Sequence, residues 1–454
     1  MASAATPYLR LLTTTQFAFN TGFFAVLPYL AAHLGSGLSM AGWLVGLVLG
    51  LRTFSQQGLF VVGGALTDRY GPRPVVLAGC ALRIAGFGWL AYAGSPATVI
   101  AAVLLIGFAA ALFSPAVESE TAREAVRHEQ ATGTPRAQVL ALFSAAGQAG
   151  AFLGPLLGSL LLLLGGGFRA ACLAGALVFV AVLVGHARLM PGRKDARDDA
   201  VPRNGERDDA ITRNGERDDA IIRNGVRDGA VTRTAQRATT SSAASSWRAV
   251  FTNRPFLVLC LAYSTYLVAY NQLYLSLPAE VERATGSQAA LGWLFALSSL
   301  LVVTLQLPLT RRSAHRLTPR TALVTGLTVV AAGFAAVPLT PGGPGGLLPG
   351  AVLVVLLTLG QMLLVPAARG IVPDLVDDRR LGLATGALSS VSGLAVLGGS
   401  AATGAFLGAP ALVLWTALAA VPLAGAALAF TLPAGHGEKY GRRGKEQRAR
   451  EVGG

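Results

Sequence analysis

Charge is scarce in this chain: 13% of its 454 residues are Asp, Glu, Lys or Arg, about half the roughly 25% of an ordinary soluble domain. Lysine is nearly absent, since 34 of the 37 basic residues are arginine. That bias, with abundant Ala and Gly, reads as a compositional habit of the genome rather than a phosphate site. Cysteine is limited to Cys80, Cys172 and Cys260, each inside an apolar run, so no disulfide framework is implied. No acidic residue falls squarely within the long apolar runs. Walker, His-Glu-x2-His, Gly-x-Ser-x-Gly and Cys-x2-Cys patterns are all missing. No catalytic cluster, metal site or cofactor site is expected, and the chain does not read as an enzyme.

What the chain does have is apolar length. A membrane span needs about 20 consecutive apolar residues, and twelve such stretches lie near 8–34, 41–63, 74–94, 97–117, 137–164, 168–189, 255–279, 288–310, 321–339, 347–368, 381–407 and 409–432. A large soluble core is excluded because the connections are too short and too apolar. The expected fold is an all-α integral membrane protein of twelve transmembrane helices. Basic residues outside the spans crowd the even-numbered gaps (the 64–73 turn, 118–136, 191–254, 311–320 and 369–380) and the tail after 433. Only Arg169 and Arg283 lie on or beside the odd-numbered gaps. The positive-inside rule then places both termini in the cytoplasm. The net charge of +14 faces anionic lipid rather than nucleic acid. Span 1 is too long for a cleavable signal, and no small-residue cleavage site follows it.

The turn at 64–74 reads Gly-Ala-Leu-Thr-Asp-Arg-Tyr-Gly-Pro-Arg-Pro. Gly64 is expected to let two helices approach and Gly71 to permit a tight turn, with Asp68, Arg69 and Arg73 placing charges at the membrane edge. Gly64, Leu66, Asp68, Arg69, Gly71 and Arg73 fit the Gly-x-Leu-x-Asp-Arg-x-Gly-x-Arg/Lys signature between spans 2 and 3 of the major facilitator superfamily, which this chain therefore resembles. The resemblance implies two six-helix bundles in parallel repeat around a midplane cavity. It also implies a conformational lock, with Asp68 near the start of span 11 around Leu381–Leu383 and Arg69 and Arg73 meeting Glu118, Glu120 or Glu124. Gly150-x3-Gly154-Pro155-x2-Gly158 in span 5 resembles the motif of proton-coupled antiporters, with Ser159 in place of its last Gly. The Arg52, Gln56-Gln57 and Arg83-x2-Gly86-Phe87 pattern resembles bacterial multidrug exporters. One departure stands out: drug antiporters often carry an Arg four residues before a Gly in span 4, and here Val103 precedes Gly107. Proton coupling would then use Glu118, Glu120, Asp68 or groups linked to the arginines, or be absent.

The halves leave traces of a repeat. Asp68–Arg73 has a degenerate echo in His315–Arg320, and Pro7 and Pro255 open spans 1 and 7. The expected division is 1–190 for the first bundle, 191–252 for a linker, 253–433 for the second bundle and 434–454 for a basic tail. The linker carries a decapeptide period, with Arg203-Asn-Gly-Glu-Arg-Asp-Asp-Ala210 recurring at 213–220 and 223–230. Such polar repeats cannot repay the entropy of folding, so a disordered cytoplasmic segment is expected, the other reading being a regulatory or partner-binding one.

Several intramembrane side chains could carry substrate. On span 1, Gln16, Asn20, Phe23 and Leu27 share one face, with Gly22 and Pro28 giving a Gly-x5-Pro pattern. Asn20 and Phe23 are read as cavity residues, against a helix-bonding role for the amide. On span 7, Tyr263, Tyr266, Tyr270 and Tyr274 fall within an arc of roughly 80° over about 16 Å, with Asn271 beside them. They form either a packing seam or an aromatic cavity wall, the latter preferred. Arg52 and Arg83 sit mid-span, where a charge costs about 2.5–3.5 kcal/mol and needs a partner. They are either clamps on backbone carbonyls or Gln56 and Gln57, or an anion or counter-ion site. The reading is a monomeric secondary transporter of the cell membrane that exports small amphipathic drugs or natural products, with protons as coupling ion. An organic-anion transporter using Arg52 and Arg83 is the alternative, and a non-transporting sensor a remote one.

Overall fold

The computed structural model describes residues 7–190, 251–341, 346–376 and 381–433, excepting the side chains of Val61, Asp68, Ala137, Ala314, His315, Leu381 and Gly382. Expectations for the decapeptide linker, the tail after 433 and the Asp68–span 11 contact therefore lie outside the described residues. Met1–Met190 and Arg254–Gly454 form one compact unit, and Pro191–Asn253 divides off as a second.

Hydrocarbon offers no partner for peptide N–H and C=O groups, so a spanning segment must satisfy them within itself. Every regular element among the described residues is accordingly helical. Eleven of the helices are long and apolar enough to cross a membrane, and they coincide with spans 1 and 3–12. Span 2 is built in two pieces, Gly42–Gly58 and Phe60–Tyr70, separated at Leu59. The break leaves pieces of 17 and 11 residues, each short of the length a membrane crossing needs, which explains why length and apolarity alone do not single it out. Span 1 is also broken: Pro7–Phe24 ends, and Leu27–Ala32 restarts with a proline in its first turn. Pro28 has no backbone donor, which costs nothing in the first turn of a helix, where that N–H would have no intrahelical partner.

Several helices outrun their apolar stretches, span 4 the furthest. The span 4 helix runs Pro96–Thr132, well past 117, because Glu120–Arg123 and Glu124–Arg127 pairs stabilise the polar extension. Ala125 on that extension packs with Leu9 and Val139, tying it to the starts of spans 1 and 5. Span 7 runs Arg254–Thr285, its last turn carrying a Glu280–Arg283 pair.

The turn between spans 2 and 3 has the geometry its sequence demands. Gly71 adopts φ +88°, a region that favours glycine, and Pro72 starts the next helix, Pro72–Leu90. The echo in the second half is capped differently. Thr318 accepts a bond from the Thr321 N–H and starts Pro319–Ala336 from an extended conformation, so no glycine is required there. One expectation about this turn is corrected: a Cβ on Gly64 would meet nothing, whereas a Cβ on Gly63 would overlap the Ala111 carbonyl of span 4. The close approach belongs to Gly63.

Candidate functional site

The two six-span halves meet tightly at the end of the bundle that carries the short turns. Span 2 packs on span 11 (Leu381–Ala405), where added Cβ atoms at Gly42 and Gly46 would overlap the carbonyls of Gly404 and Ser400. Span 5 (Arg136–Leu163) meets span 8 (Leu291–Arg316), with the Ser159 hydroxyl donating to the Ala289 carbonyl at 2.7 Å. Within the first half, span 5 lies on span 1 through its glycines. Cβ atoms at Gly150, Gly154 and Gly158 would run into the carbonyls of Phe17, Thr21 and Ala25. That one-turn register explains the spacing of the antiporter-like motif. The Pro155 carbonyl accepts from the Tyr29 hydroxyl at 2.6 Å.

Arg83, on span 3, is 1% exposed and sits in an aromatic box. Its guanidinium carbon lies 4.7, 4.9, 5.6 and 5.1 Å from the ring centres of Phe19, Phe23, Phe87 and Phe179. Nη1 donates to the Ile106 carbonyl at 2.7 Å, and Nε and Nη2 have no hydrogen-bond acceptor. A desolvated cation–π contact contributes about 2 kcal/mol, so four rings and one carbonyl are enough to offset the insertion cost of about 2.5–3.5 kcal/mol. Arg52 lies over the Phe23 ring at 4.5 Å and donates to Gln56 Oε1 at 2.8 Å. Both arginines thus adopt the clamp geometry that was one of their two sequence readings. Phe23 is shared between them.

The span 7 tyrosines form one continuous row of tilted and edge-to-face rings. Ring centres are 5.7 Å apart for Tyr263–Tyr266, 5.9 Å for Tyr266–Tyr270 and 5.9 Å for Tyr270–Tyr274. Phe295 of span 8 extends it, 5.3 Å from Tyr274. Tyr263 and Tyr270 remain half-buried while Tyr266 and Tyr274 are buried, so the row offers two partly open rings. Arg52 lies within electrostatic reach of Tyr270 and Tyr274. Asn271, 4% exposed, is not an open wall residue. It donates to Ser400 Oγ at 2.7 Å and accepts from Thr53 Oγ1 at 3.2 Å, bridging spans 2, 7 and 11 across the two halves. Asn20 is likewise used internally: its amide donates to the Gly147 carbonyl at 2.9 Å, the helix-bonding role rather than the preferred cavity role.

At the opposite end, Arg73 donates to the Ala187 carbonyl at 2.9 Å instead of meeting the span 4 acids. Arg69 lies over the Tyr70 ring at 5.4 Å. Glu120 is buried and pairs with Arg123 of its own helix, whereas Glu118 is exposed and within reach of Arg369 on span 10. Three features were not read from the sequence: the four-ring box, the Thr53–Asn271–Ser400 bridge, and buried His186, whose Nε2 is 2.9 Å from Thr15 Oγ1. The sequence signal available for the box was the concentration of phenylalanine on span 1, at Phe17, Phe19, Phe23 and Phe24. Among the described residues, no cluster of His, Cys, Asp or Glu could hold a metal ion.

A helical membrane protein whose two six-span halves meet around a central aromatic and polar seam has the build of a membrane carrier. The chain belongs to the Major Facilitator Superfamily, whose family model matches residues 10–282 and 270–453. It is 35% identical over 410 residues to an uncharacterized MFS-type transporter of Mycobacterium tuberculosis (strain ATCC 25618 / H37Rv), covering 88% of this chain and 86% of that one. It is 29% identical over 382 residues to the multidrug resistance protein MdtH of Salmonella typhi, covering 82% of each. Among solved structures, a peptide transporter POT in complex with sulfate aligns with TM-score 0.71 at 16% identity, over 93% of each chain. The nucleoside transporter NupG aligns with TM-score 0.67 at 13% identity, over 93% of this chain and 98% of its own. These structures share the fold.

Proposed function

We propose that this transporter exports small amphipathic drugs or natural products by alternating access, in antiport with protons. The observation that carries the reading is the row of tyrosine rings along span 7. Its half-buried rings, Tyr263 and Tyr270, offer π faces to flat ligands without demanding one hydrogen-bond pattern, which suits a carrier of diverse aromatic molecules. The likeness to a multidrug resistance protein supports the same direction. Glu118 and Glu120, at the charged-loop end of span 4, are the acids available for proton coupling. With both termini in the cytoplasm, the tight seam at the short-turn end corresponds to a carrier closed to the outside.

Arg52 favours a narrower second reading. Its reach to Tyr270 and Tyr274 sets a positive charge beside the aromatic wall, which would draw substrates bearing an anionic group. Flux measured in reconstituted vesicles under an imposed pH gradient tests both readings. Tyr270→Ala is expected to weaken flat aromatic substrates by about 0.5–1.5 kcal/mol per lost aromatic contact and to spare aliphatic ones. Equal flux with and without the gradient would remove proton antiport, and unchanged aromatic flux in Tyr270→Ala would remove the tyrosine wall.

A further inference from the structure

Spans 4 and 10 occupy equivalent places in the two halves, and each carries a proline followed three residues later by a charge. Pro115 precedes Glu118 and Pro366 precedes Arg369, and both members of each pair lie 251 residues apart. The charges also share a depth. Glu118 is 22 residues from Pro96 and Arg369 is 21 from Leu348, the short-turn ends of their helices, so each lies about 32 Å from that end at 1.5 Å per residue. Tyr263, 22 residues from Thr285 on span 7, is on the same level and within reach of Arg369.

The two side chains are exposed, lie within electrostatic reach of each other, and make no ion pair among the described residues. Neighbouring acids cannot take this role: Glu120 and Glu124 are buried and held by Arg123 and Arg127. The halves are already in contact at the other end, so the freedom left to them is to rock together at this one. Because Pro115 and Pro366 each remove a backbone donor, the segments bearing the charges can bend.

We propose that Glu118 and Arg369 form a cross-half ion pair each time the charged-loop end closes and release it each time that end opens. Arg369 is thereby a positioning residue of the transport cycle. The pair stabilises one of the two access states and not the other, which is the requirement for biasing a two-state equilibrium. This assignment rests on the alternating-access reading.

The test uses the full chain in proteoliposomes, with Glu118→Gln, Arg369→Gln, the single reversals Glu118→Arg and Arg369→Glu, and the double reversal. Each single variant is expected to slow turnover, the reversals most, and the double reversal is expected to restore it well above either reversal alone. A Glu118→Cys/Arg369→Cys pair on a background lacking the three native cysteines supplies a readout independent of flux. It should accept a short thiol cross-linker, and the cross-link should arrest transport. Normal turnover in Arg369→Gln overturns the pairing, as does a double reversal no faster than the single ones. If the wild type moves no substrate, alternating access fails as a reading and the cross-link alone decides the pair: its absence under every condition overturns the proposal.

Discussion

Arg83 shows how a buried charge can be accommodated without an acid. Its position mid-span was legible in the sequence as a cost needing a partner. Phe87 lies one turn along the same helix and was within reach of a spacing rule, but Phe19, Phe23 and Phe179 lie on spans 1 and 6, and no spacing rule joins residues on different helices. A planar guanidinium can be stacked on several rings, while an ammonium is a compact, strongly hydrated point charge. Arg83→Lys is therefore expected to destabilise the protein more than Arg83→Met, whose thioether packs favourably against aromatic edges. Thermal unfolding in detergent checks this. The reverse order, with Lys melting above Met, would mean that the charge itself is held by something other than the rings. Transport retained in Arg83→Lys and lost in Arg83→Met would assign the charge to substrate or counter-ion handling. Asn20 teaches the complementary lesson: a polar residue on a shared face was visible, but whether it pointed to a cavity or to a carbonyl depended on Gly147 of span 5.

For helices as units, the spans were mostly legible and the seams between them only in part. Long apolar runs located the helices, yet the Glu–Arg pairs that extend span 4 to Thr132 read as a loop when apolarity alone sets the boundary. The glycines of span 5 pack against span 1, whereas the close approach expected of the motif glycine of span 2 falls one residue away. Gly63 meets span 4 and Gly64 meets nothing, since neighbouring helix positions point about 100° apart. Gly64→Ala should thus be tolerated and Gly63→Ala should lower the unfolding temperature. Gly46 makes a sharper case because it lies on the seam between halves. A valine there would overlap the Ser400 carbonyl, so the short-turn end could not close as it does here. Gly46→Val is expected to fold but to favour the opposite access state, and cysteine labelling from either side of the membrane would show it. Labelling identical to the parent would mean that the seam yields elsewhere.

At the scale of the molecule, twelve runs, two halves and a family signature were all readable, because hydrophobic length and a charged turn are local properties of sequence. Which end is closed was not readable, since either access state uses the same helices and differs only in contacts between halves. The connection between those halves allows a prediction that needs no contact at all. The decapeptide copies lie within 191–253, between Met190 and Arg254. Deleting Arg203–Ala220 removes 18 of these 63 residues and leaves 45, whose extended reach is about 150 Å at 3.3–3.6 Å per residue. A helix bundle of this size is far narrower, so the tether does not limit how the halves approach. Closing a chain segment depends only weakly on its length, so shortening it by less than a third changes that term little. Expression, insertion and flux in vesicles are therefore expected to match the parent. If the deleted protein inserts normally but transports slowly, length is not the reason, and the repeats must contact a partner, a lipid surface or the carrier itself.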